Sequence, residues 1–184
     1  SAQTNESLTV SAFIDYIILS PDERSIMRNE THFAFPTIAT HEEDLSSNIN
    51  KIFLHFNFPV KQLIWIIYDP LQDHIVLESF KKAKLALGGE HYQESNDFFS
   101  ADYYKFVQSN IHNECIPSEN IFSYSFALKP FYGHPTGNVD FGKLQTKCFE
   151  IHGDNIKNKR LVIYAYGVNA LETLNGLSQI KLKL

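Results

Sequence analysis

The chain is poor in the residues from which reactive centres and membrane spans are made. Its 184 residues include only two cysteines, Cys115 and Cys148, one methionine and one tryptophan. Two cysteines without a Cys-x-x-Cys spacing cannot build a disulfide framework, and they read as reduced thiols in a protein made in the cytosol. No apolar run approaches the roughly 18 residues of a membrane span. The longest, Leu63 to Tyr68, is of strand length. Positive charge is scarce and scattered: the 16 Lys and Arg never run longer than a pair, and the formal net charge is −5. Nucleic-acid binding needs a basic face, which is missing here, and Lys81-Lys82-x-Lys84 is too small for an electrostatic anchor. The chain begins Ser1-Ala2-Gln3 with no Met and no signal-type apolar segment, as expected of a fragment or a processed product. Asn5-Glu6-Ser7 and Asn29-Glu30-Thr31 match the glycosylation triplet, a pattern common by chance.

Catalytic patterns are scarce too. The eight histidines are His32, His41, His55, His74, His91, His112, His134 and His152, and no two form His-x-His. A cupin-like metal enzyme needs that pair, a nearby Glu and a third His. Gly133-His134-Pro135-Thr136-Gly137 has suitable letters in the wrong order. A catalytic metal needs three convergent protein ligands, so none is assigned. Cys115 or Cys148 beside a histidine would make a nucleophilic pair, but no local pattern supports one. Gly88-Gly89 lacks the Gly-Lys-Ser/Thr of a phosphate loop. The acidic groups Asp22-Glu23 and Glu42-Glu43-Asp44 read as a helix start and a solvated loop. The expectation is a non-enzyme with no catalytic, cofactor-binding or metal-binding residue and no cofactor.

What the chain has in quantity is aromatic residues, 15 Phe and 9 Tyr, which favour sheets. After a polar linker at 1–7, residues 8–184 read as one domain. Alternation predicts a strand over Leu8 to Leu19. Ser20-Pro21-Asp22-Glu23 then reads as a helix start, with Ser as cap and Pro in the first helical place. Residues 28–47 read as a long polar connection. Strands are expected over Lys51 to Phe58 and Lys61 to Tyr68, where consecutive Ile64, Trp65, Ile66 and Ile67 imply cover on both faces. Residues 70–82 read as a surface excursion, and Ala83 to Leu87 as a short strand. A short helix over 100–108 should bury Tyr103, Phe106 and Val107. Phe98-Phe99 and Tyr103-Tyr104 read as core and interface aromatics. Lys143 to Ile151, Leu161 to Tyr166 and a final strand within Ala170 to Leu184 complete the set. About eight short strands with turns throughout predict an all-β sandwich or barrel, and long corner loops fit an eight-stranded jelly roll. The pattern alone leaves immunoglobulin-like and cupin-like sandwiches open.

One stretch organises the rest. In Ser123 to Lys129, Tyr124, Phe126 and Leu128 fall on one side of a strand. Pro130 ends it, and Gly133, Pro135 and Gly137 shape a corner before Asn138 to Phe141 re-enters a strand. The stretch holds no nucleophile, acid pair or ligand spacing, and reads as a sheet edge with a shaped loop.

Phe126-Ala127-Leu128-Lys129-Pro130 with Pro135-Thr136-Gly137-Asn138 resembles the major capsid proteins of nucleocytoplasmic large DNA viruses. Four further stretches follow in that family's order: Asp15-Tyr16-Ile17-Ile18-Leu19 with Asp22-Glu23-Arg24; Phe56 through Trp65; Ala83 through Gly89; and Leu161 through Ala165 with Asn169-Ala170-Leu171 and Asn175-Gly176. The departures are Thr136 for the family's Ser, Val139-Asp140-Phe141-Gly142 for its Ser-Arg, and the ending Gln179-Ile180-Lys181-Leu182. The resemblance implies the second, C-terminal jelly roll of a double-jelly-roll capsid protein. Such a protein would act as a homotrimer in pseudo-hexameric capsomers tiling an icosahedral shell. Its implied partners are the N-terminal jelly roll, neighbouring capsomers and minor capsid proteins, without direct nucleic-acid contact or a transmembrane segment. Its implied place is the virion, after synthesis in the host cytoplasm. A single-roll vertex, minor capsid or scaffold protein of the same viruses is the alternative.

Overall fold

The computed structural model describes residues 11–28, 31–72, 74–88, 97–112, 114–132, 136–174 and 177–180. Two antiparallel sheets face each other. The first runs β1 (Thr31–Asp44), β9 (Arg160–Leu174), β3 (Pro59–Tyr68), β6 (Phe122–Ser125). Two short strands join it: β10 (Leu177–Ile180) on β9 and β7 (Val139–Asp140) on β3. The second runs β2 (Ile49–Phe53), β8 (Thr146–His152), β4 (Lys82–Gly88), β5 (Phe99–Ser100). The pairing is nested: β1 with β9, β2 with β8, β3 with β6, β4 with β5. A long hairpin wound into two sheets gives that nesting, so the eight-stranded jelly-roll expectation holds, with β7 and β10 added.

The core lies between the sheets. Inward residues alternate along β3 (Leu63, Trp65, Ile67) and along β9 (Leu161, Ile163, Ala165), all buried. The register places Trp65 opposite Ile163 and Leu63 opposite Ala165. Trp65 is the hub: its ring centroid lies 4.9 Å from Tyr104, 5.0 Å from Phe149 and 6.2 Å from Phe122. The first two pairs are edge-to-face and the third is stacked, and such aromatic pairs add about 0.5–1.5 kcal/mol each beyond the area they bury. Ile64 and Ile66, on the other face of β3, are half-buried, so that face is covered only in part.

Several elements differ from their sequence expectation. Residues 11–20 are in no strand and lie exposed except for half-buried Leu19, while Leu8 to Val10 lie outside the described residues. The expected connection at 28–47 is largely β1, a 14-residue strand. It faces inward with Thr37, Ala39 and His41, opposite Gly167, Ala165 and Ile163, and outward with exposed Ile38. That inversion removes the amphipathic signal, and Pro36 is tolerated because β1 is the outer strand of its sheet among the described residues. The final strand is the end of β9, which runs unbroken to Leu174 and returns as β10; Lys181 to Leu184 lie outside the described residues. The helical stretch is real but turned. It starts at Ala101, makes a π-helical turn over Tyr103–Val107 and continues as α2 (Gln108–Ile111), counting Pro21–Arg28 as α1. It buries Tyr104, Gln108 and Ser109, leaving Phe106 and Val107 exposed. The wider π turn shifts the buried face by a residue from the one the spacing of Tyr103, Phe106 and Val107 implied.

α1 starts as its sequence predicts. Ser20 N donates to Glu23 Oε2 at 2.8 Å, and Glu23 N donates to Ser20 Oγ at 3.3 Å, a reciprocal capping box. The excursion after β3 is pinned at its base. Lys159 Nζ sits 2.9 Å from Asp69 Oδ2 and 3.2 Å from Glu78 Oε1, and Leu77 bridges to Tyr68. No helix among the described residues is long and apolar enough to cross a membrane.

Candidate assembly surface

The stretch around Pro130 sits on the outer side of the first sheet, and its geometry starts at a bulge. Val60 pairs with Gly167 and Gln62 with Tyr166, so Lys61 is an extra residue in β3. The Lys61 carbonyl accepts two bonds, from Phe126 N at 2.8 Å and Ala127 N at 3.2 Å. Two successive donors on one acceptor end the alternation of β6. Ala127 turns inward and is buried, and Leu128, expected inside, is 73% exposed. Ser125 Oγ holds this kink by donating to the Ala127 carbonyl at 2.7 Å.

The corner is stapled by Thr136. Its Oγ1 accepts from Lys129 N and donates to Lys129 O, both at 3.0 Å, and Leu128 N donates to Thr136 O at 3.3 Å. Next comes Gly137 at φ 132°, a conformation open to glycine. A Cβ there would stand 2.8 Å from the Phe126 carbonyl oxygen. The Thr-Gly pair is thus a backbone clamp. Gly133, His134 and Pro135 lie outside the described residues.

The clamp displays aromatics. Pro130 is buried, Phe131 and Tyr132 are more than half exposed, and Phe131 packs on Tyr166 with centroids 5.1 Å apart. A cleft of about 340 Å³ opens between Phe131, Tyr132, Tyr166, Phe35, Pro36 and Lys61. A neighbouring one of about 290 Å³ is walled by His112, Glu114, Lys129 and the same two aromatics. Beneath them the bulge buries two polar side chains. Lys61 Nζ donates to Tyr132 O at 3.4 Å and lies 5.8 Å from the Tyr166 ring centroid. Gln62 Nε2 donates to both Glu114 carboxylate oxygens at 2.9 and 3.0 Å. His112 Nδ1 donates to Leu128 O at 3.1 Å. Sequence reasoning passed over Lys61, Gln62, Glu114 and Tyr166. Lysine and glutamine beside a buried apolar run were the available sign, since such groups stay inside only when bonded.

The histidines scatter. The His41 and His55 rings lie tilted to each other with centroids 5.8 Å apart, and His152 Nε2 bonds Glu150 Oε1 at 2.8 Å. His74 is exposed, His32 lies on β1, and His91 and His134 lie outside the described residues. No group of three His, Cys, Asp or Glu among the described residues is placed to hold a metal ion. Cys115 is exposed and Cys148 buried. Burial pushes the Cys148 thiol up, away from the thiolate a nucleophile needs. Burial likewise raises the Tyr104 phenol, whose OH donates to Ala83 O at 3.0 Å. Of the acidic cluster, Asp44 stays exposed to solvent as expected, but it ends strand β1 and is ion-paired. Arg160 grips it at 2.7 and 3.2 Å, and that hydrogen bond holds its carboxyl below the usual range.

No family model matches the chain. The major capsid protein of Pyramimonas orientalis virus is 26% identical over 92% of this chain and 48% of its own length. That of Chrysochromulina ericina virus is 35% identical over 36% of this chain and 12% of its own length. In the solved PBCV-1 virus capsid, a protein chain superposes with a TM-score of 0.70 at 18% identity, over 92% of this chain and 56% of that one. This chain therefore spans about half the length of the Pyramimonas orientalis virus protein and of the PBCV-1 capsid chain. These matches show that the chain is homologous to viral major capsid proteins and shares the jelly-roll fold of a chain in the PBCV-1 capsid.

Proposed function

We propose that this chain is the second of two jelly rolls in a viral major capsid protein and that its work is structural. Its activity is to bury apolar and aromatic surface against copies of itself, as homotrimers that form pseudo-hexameric capsomers of an icosahedral shell. The observation that carries this reading is the pairing of a closed sandwich with a rigidly clamped corner presenting Leu128, Phe131 and Tyr132 to solvent. Aromatics held outward on a rigid frame lose little entropy when a neighbour covers them. Similarity to capsid proteins over nearly the whole chain supports the same reading. No catalytic step belongs to it. The N-terminal roll, adjacent capsomers and minor capsid proteins are the partners, and the place of action is the virion after synthesis in the host cytoplasm.

Mass photometry of the product of the full reading frame tests the proposal. Trimers are expected. A monomer that persists across salt, pH and concentration contradicts it, and a reading frame with no second roll gives the role to a single-roll minor capsid or vertex protein instead.

A further inference from the structure

The most apolar exposed surface on the molecule belongs to a single peptide. Phe13, Ile14, Tyr16, Ile17 and Ile18 are 68–98% exposed, on residues that join neither sheet. Both sides of this peptide are apolar once it is extended. Ala12, Ile14, Tyr16 and Ile18 fall on one side, and Phe13, Ile17 and Leu19 on the other, with Asp15 among them. A strand with one wet face would carry polar residues on alternate positions; a strand apolar on both faces belongs in a sheet covered on both sides. Nine residues at about 3.3 Å each span roughly 30 Å, a full-length strand. The peptide is also held away from this sandwich. The capping box at Ser20 and Glu23 fixes where α1 begins, and Arg24 Nε donates to Leu19 O at 3.0 Å at the junction.

We propose that residues 11–19 are a strand of a second sandwich, within the half of the relatives' length that this chain does not span, and that Ser20–Arg28 is the crossing between the two units. The proposal rests on the two-roll reading above. Its occupant is a sheet edge of the same polypeptide, with a core on one face of the strand and a covering layer on the other. Asp15 is then paired at that sheet rather than solvated.

Hydrogen–deuterium exchange on this 184-residue chain and on the full-length capsid protein tests it. In the chain alone, amides 12–19 should exchange at the rate of an unstructured peptide at every protein concentration. In the full-length protein they should slow by at least about 100-fold, as amides of a sheet do. Unprotected amides in both proteins overturn the proposal. Protection in the short chain that grows with concentration also overturns it, because the occupant is then a second copy. Trimers with residues 12–19 unprotected sink this inference and leave the capsid reading standing; protection in a full-length protein that stays monomeric does the reverse. Ile14→Asp and Ile17→Asp probe the two faces separately. Each should lower the melting temperature of the full-length protein and leave that of the short chain unchanged, and a full-length melting temperature indifferent to either contradicts cover on both faces.

Discussion

Thr136 and Gly137 fix the corner by different means, and substitutions should separate them. Thr136→Ala removes both hydroxyl bonds to Lys129 and should cost about 1–3 kcal/mol, while Thr136→Ser should cost far less, as read from urea midpoints. Gly167 has a third requirement: a Cβ there would sit 2.1 Å from the Pro59 carbonyl oxygen and 2.7 Å from the Phe58 ring. Gly167→Ala should therefore destabilise by about 1–3 kcal/mol or more through overpacking. Truncating the hub, Trp65→Ala, should cost about 3–5 kcal/mol in the same assay. His41 gives the chain a pH response. Burial, opposed by Glu43 and reinforced by His55, holds its imidazole pKa below the ordinary value. The unfolded chain then binds more protons between the two pKa values, so stability is full above about pH 6.5 and falls as pH drops through that window. Asp44, Asp69 and Glu150 are depressed carboxyls whose contributions are lost only lower, from about pH 4.5 downward. The urea midpoint should fall between pH 7.5 and 5.5, and His41→Gln should shrink that fall; an unchanged difference would assign it to another group.

At the scale of elements, the strands that show in the sequence are those whose inward face is apolar. β3, β4 and β8 alternate or run apolar against the core, and each was located from pattern alone. β1 was missed because Thr37 and His41 point inward while Ile38 points out, so its place comes from the ladder with β9 rather than from its own periodicity. The peptide at 11–19 failed in the opposite sense: a strand pattern with nothing here to pair with. Bulges hide for a similar reason. Period-2 reasoning carried Tyr124, Phe126 and Leu128 along one face, but the doubled bond to Lys61 reverses the chain's sense at Ala127. The Gln62–Glu114 bond joins β3 to the segment after α2, and its loss should be felt beyond one residue. Glu114→Ala leaves a buried amide without its acceptor and should cost about 1–3 kcal/mol, with Glu114→Gln close to neutral. Ser20→Ala should cost about 0.5–2 kcal/mol of helix stability, seen as faster exchange over α1 alone.

For the whole molecule, the count of strands and turns predicted a sandwich or barrel and fitted a jelly roll, while leaving immunoglobulin-like and cupin-like sandwiches open; the nested pairing comes from the ladders themselves. The outer surface was less legible. Which aromatics face solvent depends on a bulge, a clamp and a π turn, each a local break in periodicity. Substitutions at the displayed aromatics should divide folding from assembly. Phe131→Asp with Tyr132→Asp should change the stability of this domain by less than about 1 kcal/mol yet abolish higher-order association of the full-length protein. The most direct measurement is an electron cryo-microscopy reconstruction of the capsomer from virions. Three polypeptides with six jelly rolls are expected, this domain occupying alternate positions with Leu128, Phe131 and Tyr132 buried against a neighbouring roll. A capsomer in which those three side chains face open solvent on every copy, or in which this domain stands alone, would contradict it.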